Sequence, residues 1–517
     1  MTSRAVVTPH HLSAEAGREI LHAGGNAVDA AIAATATQGV VAPETCGVGG
    51  DLFALVHVPG WDRPRALNSS GRAGSNADPE ALRQSSFSDV PGDHPAAVTI
   101  PGCVDGLVTL SHELGNLELK TVLAPAIRLA ADGFPVSHEQ ARAFARQADI
   151  YRDNPAVTDF YPEGVPVRPG DTVVRKSLSR TLEEIAHGGR EAFYGGVAGE
   201  DISEAVGGHI TMEDLAVSQA EWVEPIRAWV AGLDAWTIPP NSQGYLGPAT
   251  VAVFEMLDPP NDPDDPMWWH LLIEAHRSMA WERNDLVSDP DTVALPVDLL
   301  LDPGRLERAA ASVDRSRSGV WPTPLGRTAS TAYLCAADAD GMAVSMIQSN
   351  YRGTGSPFGA ARSGFLLQDR GMGFSLTPGH PNELAAGKRP LHTLSPTLWT
   401  DGDQPRWILG TRGGAVQPQL IAQLAARAIV GDAPLEDAQE APRWTISDFG
   451  PGTGSKVSLE PLVPEDVVDG LRGRGHSLDC LDQRQPGWGP MSIIELDGSE
   501  RRAAADPRVD TAAALVY

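Results

Sequence analysis

Two registers of apolar residues alternate along this chain. Ala27 to Pro43 is nearly free of charge and rich in alanine, which reads as a buried helix shorter than a membrane span. Asn26 caps it, with Asp29 placed for a capping box. A shorter helix is expected before it, with Ser13 as N-cap, Glu15 in its first turn and Gly24-Gly25 at its end. Leu52 to Val58 is a continuous apolar run and reads as a buried strand. The glycines before it, Gly47-Val-Gly-Gly50, suit either a tight turn or a close approach to a ligand. Lys120–Gly133, Ser177–His187 and Met267–Arg283 have helical period, and the proline-rich run 258–266 forbids regular structure.

The stretch Ser312–Ser330 has no period and reads as a long connecting segment. Directly after it, Thr331–Ala337, Asp338–Gly341 and Met342–Gln348 read as strand, tight turn and strand. Trp407–Gly410 is a further strand. The segment Thr411–Pro418 then leads into a helix ending at Val430, with Gly431 beyond it. No internal repeat is visible.

Composition narrows the class. Of 517 residues, 42% are apolar and 21% charged, as in a folded protein of two to four domains or one large layered enzyme. A net charge of −27 argues against nucleic-acid partners and against anionic membranes. Cys46, Cys103, Cys335 and Cys480 are too far apart to form a metal or disulfide framework and are expected as buried thiols. The N-terminus lacks the apolar core of a secretion signal, so a cytoplasmic location is expected. There is no Gly-x-Ser-x-Gly elbow, no phosphate loop and no dinucleotide fingerprint, and no cofactor is expected. His270 and Glu274 share a helical face, but His276 does not, so no metal is expected.

Three places carry candidate chemistry. Thr331 begins a strand at the end of the aperiodic segment, and cutting the chain before it would give its hydroxyl an α-amine as base. Gly413-Gly414 stand at a strand-to-helix entrance, where successive N–H groups can hold an oxyanion or simply make the turn. Arg72 lies in a Gly/Ser loop and could fork onto a carboxylate or stay solvated. Pattern alone leaves each of these choices open.

The residues together resemble the γ-glutamyltransferase family of N-terminal-nucleophile hydrolases. The likeness runs through Ala14–Ala31, Gly47–Gly50, Leu123–Pro135 and Pro239–Gly244, then Ser330–Ser345, Lys388–Thr397 and Gly410–Gly414. It implies an α/β (α+β) fold, a four-layer αββα sandwich. It also implies self-cleavage between Ser330 and Thr331 into a large chain, 1–330, and a small chain, 331–517, sharing one core. By the same resemblance Thr331 is the nucleophile and Gly413-Gly414 the oxyanion pair. Arg72 grips a substrate carboxylate, and Ser349 or Asn350 hydrogen-bonds nucleophile and substrate.

The departures from the family are specific. Gly373 stands where glutamyl-using members have an acid for the substrate α-amine, and Asp369 is shifted from it. His392-Thr393 replace a serine pair, and the loop Thr377–Gly387 is short. His392-Thr393 and Ser349-Asn350-Tyr351 look similar to the oxamate amidohydrolase branch. The expected substrate is a small carboxylate without an α-ammonium, cleaved at an amide or acyl bond. The alternatives are a true γ-glutamyltransferase or glutathione hydrolase, a carbon–carbon bond hydrolase, and a homologue that never matures. Whether Arg352 or Arg389 touches substrate is left open.

Overall fold

The computed structural model describes residues 3–321, 331–448 and 456–517. Ser330, one side of the expected scission, lies outside the described residues. Two antiparallel sheets stack face to face. The first has seven strands in the order Ala513–Val516, Ala5–Thr8, Ala332–Ala337, Ala343–Ser349, Asp51–His57, Arg65–Ser69 and Glu221–Val223. The second has six, in the order Glu500–Ala505, Met491–Asp497, Gln404–Thr411, Thr397–Asp401, Leu233–Thr237 and Ile226–Val230.

Strands buried on both faces explain the unbroken apolar runs. Along Ala332–Ala337, Leu334 and Ala336 face a helical layer, while Tyr333, Cys335 and Ala337 face the second sheet. Asp51–His57 divides the same way, Leu52, Ala54 and Val56 to the helices and Phe53 and Leu55 to the inter-sheet core. Helices His11–His22, Ala27–Val41, Leu119–Asp132 and Lys176–Tyr194 cover the first sheet. Leu246–Met256, Pro266–Ala280 and Gln417–Ala425 cover the second. The result is the expected helix–sheet–sheet–helix sandwich.

Most boundaries follow the sequence pattern. The capping box is formed: Asn26 Oδ1 accepts from the Asp29 N–H at 3.0 Å, and Asp29 Oδ2 accepts from the Asn26 N–H at 3.1 Å. The first helix begins earlier than expected, however. His10 caps it through Nδ1, and Ser13 lies inside it, buried and donating to Gln38 Oε1 at 2.9 Å. The thiols of Cys46, Cys103 and Cys335 are buried, but Cys480 is exposed at the end of the short strand Leu478–Cys480. Among the described residues no helix is long and apolar enough to cross a membrane.

Both sheets draw strands from both sides of position 331, and in the first sheet they interleave. Strand Ala5–Thr8 lies between Ala513–Val516 and Ala332–Ala337. A cut before Thr331 would therefore leave two interleaved chains with a common core.

The hairpin that follows Thr331 is tied down by Asp338. Its Oδ1 accepts the N–H groups of Asp340, Gly341 and Met342 at 2.9–3.0 Å, and Oδ2 accepts the Ala27 N–H at 3.0 Å. This anchors the turn to the start of the buried helix. Asp338→Ala orphans these donors and is expected to destabilise the fold by about 2–4 kcal/mol, read as a lowered denaturation midpoint.

Candidate active site

Thr331 stands at the start of strand Ala332–Ala337 and is fully buried. The register sets its neighbours. Ala332 pairs with Gln348, and Ser349 pairs with Asp51 on the next strand. Ser349, Asp51 and Thr331 thus lie at one end of the first sheet. The Thr331 hydroxyl donates to Ser349 Oγ at 3.2 Å, and Ser349 Oγ also accepts the Tyr351 N–H at 2.8 Å. Tyr351 has a φ of 76°, a left-handed conformation uncommon for a bulky residue and often found at functional sites.

Asp51 links this end to the rest of the site. Its Oδ2 accepts from His392 Nε2 at 3.0 Å, and its Oδ1 accepts from the Gly71 N–H and Gln368 Nε2, each at 2.8 Å. The Leu394 N–H donates to His392 Nδ1, which makes Nε2 the protonated nitrogen. Burial lowers the His392 pKa from 6.5 to about 3, with the Arg370 charge adding to it, so the ring is neutral. Both ring nitrogens are bonded within the protein.

The glycine pair reaches the same region through Gln243. Its Nε2 donates to Thr393 O at 3.2 Å and Gly414 O at 3.1 Å. Upstream, strand Gln404–Thr411 crosses strand Ala332–Ala337 so closely that a Cβ on Gly410 would lie 2.4 Å from the Tyr333 ring. Gly413 and Gly414 have φ values of 129° and 59°, which an L side chain rarely adopts. The helix after them runs Gln417–Ala425, continues as a π-turn to Val430 and ends at Gly431.

The remaining candidates separate. The Asn350 side chain turns away, Nδ2 donating to Thr354 O at 3.1 Å. Thr393 Oγ1 accepts from Arg370 Nη1 at 3.0 Å. Arg72 sits at the rim with Nη2 2.9 Å from Glu221 and 3.4 Å from Asp291. Buried Arg389 shares Glu221 and donates to Ser70 O and Gln219 O, which gives it a scaffolding place. Arg352 holds Asp369 by both oxygens, Nε to Oδ2 at 2.8 Å and N–H to Oδ1 at 3.0 Å. A Cβ on Gly373 would lie 2.8 Å from Leu391 O, so an acidic side chain does not fit there without a shift.

The helical His/Glu pair does converge, but with a different third residue. His270 and Glu274 meet His476, whereas His276 faces Thr250. His270 Nδ1 and His476 Nε2 are 2.8 Å apart, and Arg277 Nη1 contacts Glu274 at 2.8 Å and His476 at 3.2 Å. A guanidinium bonded to two of the three disfavours a cation. Asp51, Gln243, Tyr351 and Arg370 went unassigned in the sequence. Gln243 and Arg370 each lay inside a compared motif, and Asp51 directly follows the glycine run.

A family profile described as Gamma-glutamyltranspeptidase matches residues 13–516. The chain belongs to that family. It is similar to the glutathione hydrolase-like YwrD proenzyme of Bacillus subtilis (strain 168), 33% identical over 99% of this chain and 98% of the relative. It is equally similar, at 33% over 99% of this chain and 98% of the relative, to the oxamate amidohydrolase proenzyme of Klebsiella pneumoniae subsp. pneumoniae. The crystal structure of cephalosporin acylase from Bacillus halodurans superposes with a TM-score of 0.91 at 33% identity, covering 99% of this chain and 96% of that one. Family members are hydrolases and transferases, and this chain is an enzyme of the same kind.

The buried neutral His392 makes stability pH-dependent. Its pKa is lower folded than unfolded, so between pH ~6.5 and ~3 the unfolded chain binds a proton that the folded chain refuses. The stabilisation is complete above ~6.5 and declines as pH falls through that window. His10 and His276, also lowered to about 3, add the same sign. His392→Gln keeps a donor for Asp51 without titrating, so its denaturation midpoint is expected to fall less than the wild type's between pH 7 and pH 5.

Proposed function

We propose that this enzyme is an autoprocessing amidohydrolase that uses Thr331, once it is a chain terminus, to cleave the amide of a small carboxylate lacking an α-ammonium. The observation that carries the reading is the buried Thr331 hydroxyl, 3.2 Å from Ser349 Oγ at the start of a strand whose sheet is shared by both halves of the chain.

The chemistry follows from the parts. Scission between Ser330 and Thr331 frees an α-amine with a pKa of roughly 7.7–8.0, suited to act as a base near neutrality. That amine takes the proton from the Thr331 hydroxyl, and Oγ1 attacks the amide carbon. The Gly413 and Gly414 N–H groups stabilise the developing oxyanion. The C–N bond breaks, the leaving nitrogen takes the proton from the amine, and an ester on Thr331 remains. Water then attacks the ester and releases the acid; an amine in its place would make the enzyme an acyltransferase. Ser349 orients the nucleophile. Arg72 lies at the rim beside Glu221 and Asp291, the Asn350 side chain points to Thr354, and His392 and Thr393 act as positioning residues through Asp51 and Arg370.

Two features favour an acyl group without an α-ammonium. Gly373 leaves no room for an acid, and Arg352 engages both Asp369 oxygens. A lost charge-assisted hydrogen bond is worth about 1.5–3 kcal/mol, or roughly 10- to 150-fold in binding. The oxamate amidohydrolase named among the relatives acts on such a compound.

On a denaturing gel the wild type should give two fragments, the smaller beginning Thr-Ala-Tyr-Leu on N-terminal sequencing, and Thr331→Ala one. An uncut wild type would leave the chain a non-maturing homologue. In parallel assays kcat/KM for oxamate or another dicarboxylic monoamide should exceed that for γ-glutamyl-p-nitroanilide at least ~10-fold. The reverse order would make the enzyme a γ-glutamyl hydrolase.

A further inference from the structure

Arg370 is fully buried, yet its Nε and Nη2 have no hydrogen-bond partner. Other buried arginines among the described residues, such as Arg175 and Arg501, leave only Nε unpaired; Arg370 alone leaves two nitrogens. Those two form the side edge of the guanidinium, which grips a carboxylate through two parallel hydrogen bonds. Arg508 shows that edge occupied: its Nε and Nη2 bind the two carboxylate oxygens of Glu460.

The rest of Arg370 is fixed. Nη1 donates to Thr393 Oγ1 at 3.0 Å, and Cζ lies 4.2 Å from the centre of the Tyr351 ring. Both neighbours lead to the nucleophile. Tyr351 donates its N–H to Ser349 Oγ, which accepts from Thr331. Thr393 is joined to Gly414 by the Gln243 amide. The adjacent acids are committed elsewhere, Asp369 to Arg352 and Asp51 to His392, Gly71 and Gln368. A buried cation left unpaired by the protein is a receptor for an anion from outside.

We propose that Arg370 binds the carboxylate of the acyl group, so that the substrate class is the monoamides of short dicarboxylic acids. This rests on the amidohydrolase reading above and sharpens it. Arg72 has already given Nη2 to Glu221 and Asp291 at the rim, whereas Arg370 keeps an unfilled two-point fork, buried and linked to Thr331 through Tyr351 and Ser349. The geometry also predicts discrimination: an α-ammonium near Arg370 would be repelled by a fixed charge in a low-dielectric setting.

The test is steady-state ammonia release from oxamate, succinamate and glutaramate by the mature enzyme and by Arg370→Gln and Arg370→Lys. Arg370→Gln should raise KM for the best substrate ~10- to 150-fold, the range for losing a charged hydrogen bond, with a much smaller change in kcat. Arg370→Lys should recover part of the loss. An unchanged KM in Arg370→Gln overturns the proposal. Should the Gln variant fail to mature, the wild-type enzyme crystallised with succinate decides. A carboxylate on Nε and Nη2 of Arg370 supports the assignment, and a carboxylate on Arg72 alone overturns it. A wild type that cleaves γ-glutamyl-p-nitroanilide and none of the monoamides refutes the reaction reading itself, and the succinate complex then still decides Arg370.

Discussion

One buried carboxylate holds the site together. Asp51 begins its strand, fully buried, and its oxygens accept from His392, Gly71 and Gln368. Those partners come from segments more than three hundred residues apart at the extremes. Burial makes each bond matter, because an uncompensated charge in the interior is strongly destabilising. The same carboxylate sits opposite Ser349 in the sheet, so its network also places the partner of the Thr331 hydroxyl. A scaffold of this kind can position groups to the few tenths of an ångström that acyl transfer needs.

The sandwich supplies the rigidity and would tolerate the proposed cut. Each central strand is apolar on both faces, one towards the helices and one towards the second sheet. The strand order interleaves residues from both sides of position 331. Breaking the peptide bond before Thr331, as the proposed self-cleavage requires, would remove no layer and no ladder.

Charge placement, more than shape, is what underlies the proposed preference on the acyl side. Asp369 is neutralised by Arg352, Gly373 is closed to an acid by Leu391 O, and Arg370 brings an unpaired cation inward. Relatives with different printed activities share the family and fold, as expected when function lies in a site grafted onto a common scaffold.

Sequence alone determined the periodic and local features. The alanine-rich helix with its capping box, the hairpin after Thr331, and the glycine pair before a capped helix each depend on residues close in the chain, whose propensities act without distant partners. The ordered motifs carried the family. The start of the first helix was misread because His10 acts as its cap through Nδ1 and Ser13 is instead drawn to Gln38, a contact between two helices. Tertiary structure decided the rest. Only packing could separate Ser349 from Asn350, replace His276 by His476, commit Asp369 to Arg352 and leave Nε and Nη2 of Arg370 unfilled. A side chain's chemistry is written in the sequence, but whether its hydrogen bonds are filled depends on which distant groups the fold brings within 3 Å.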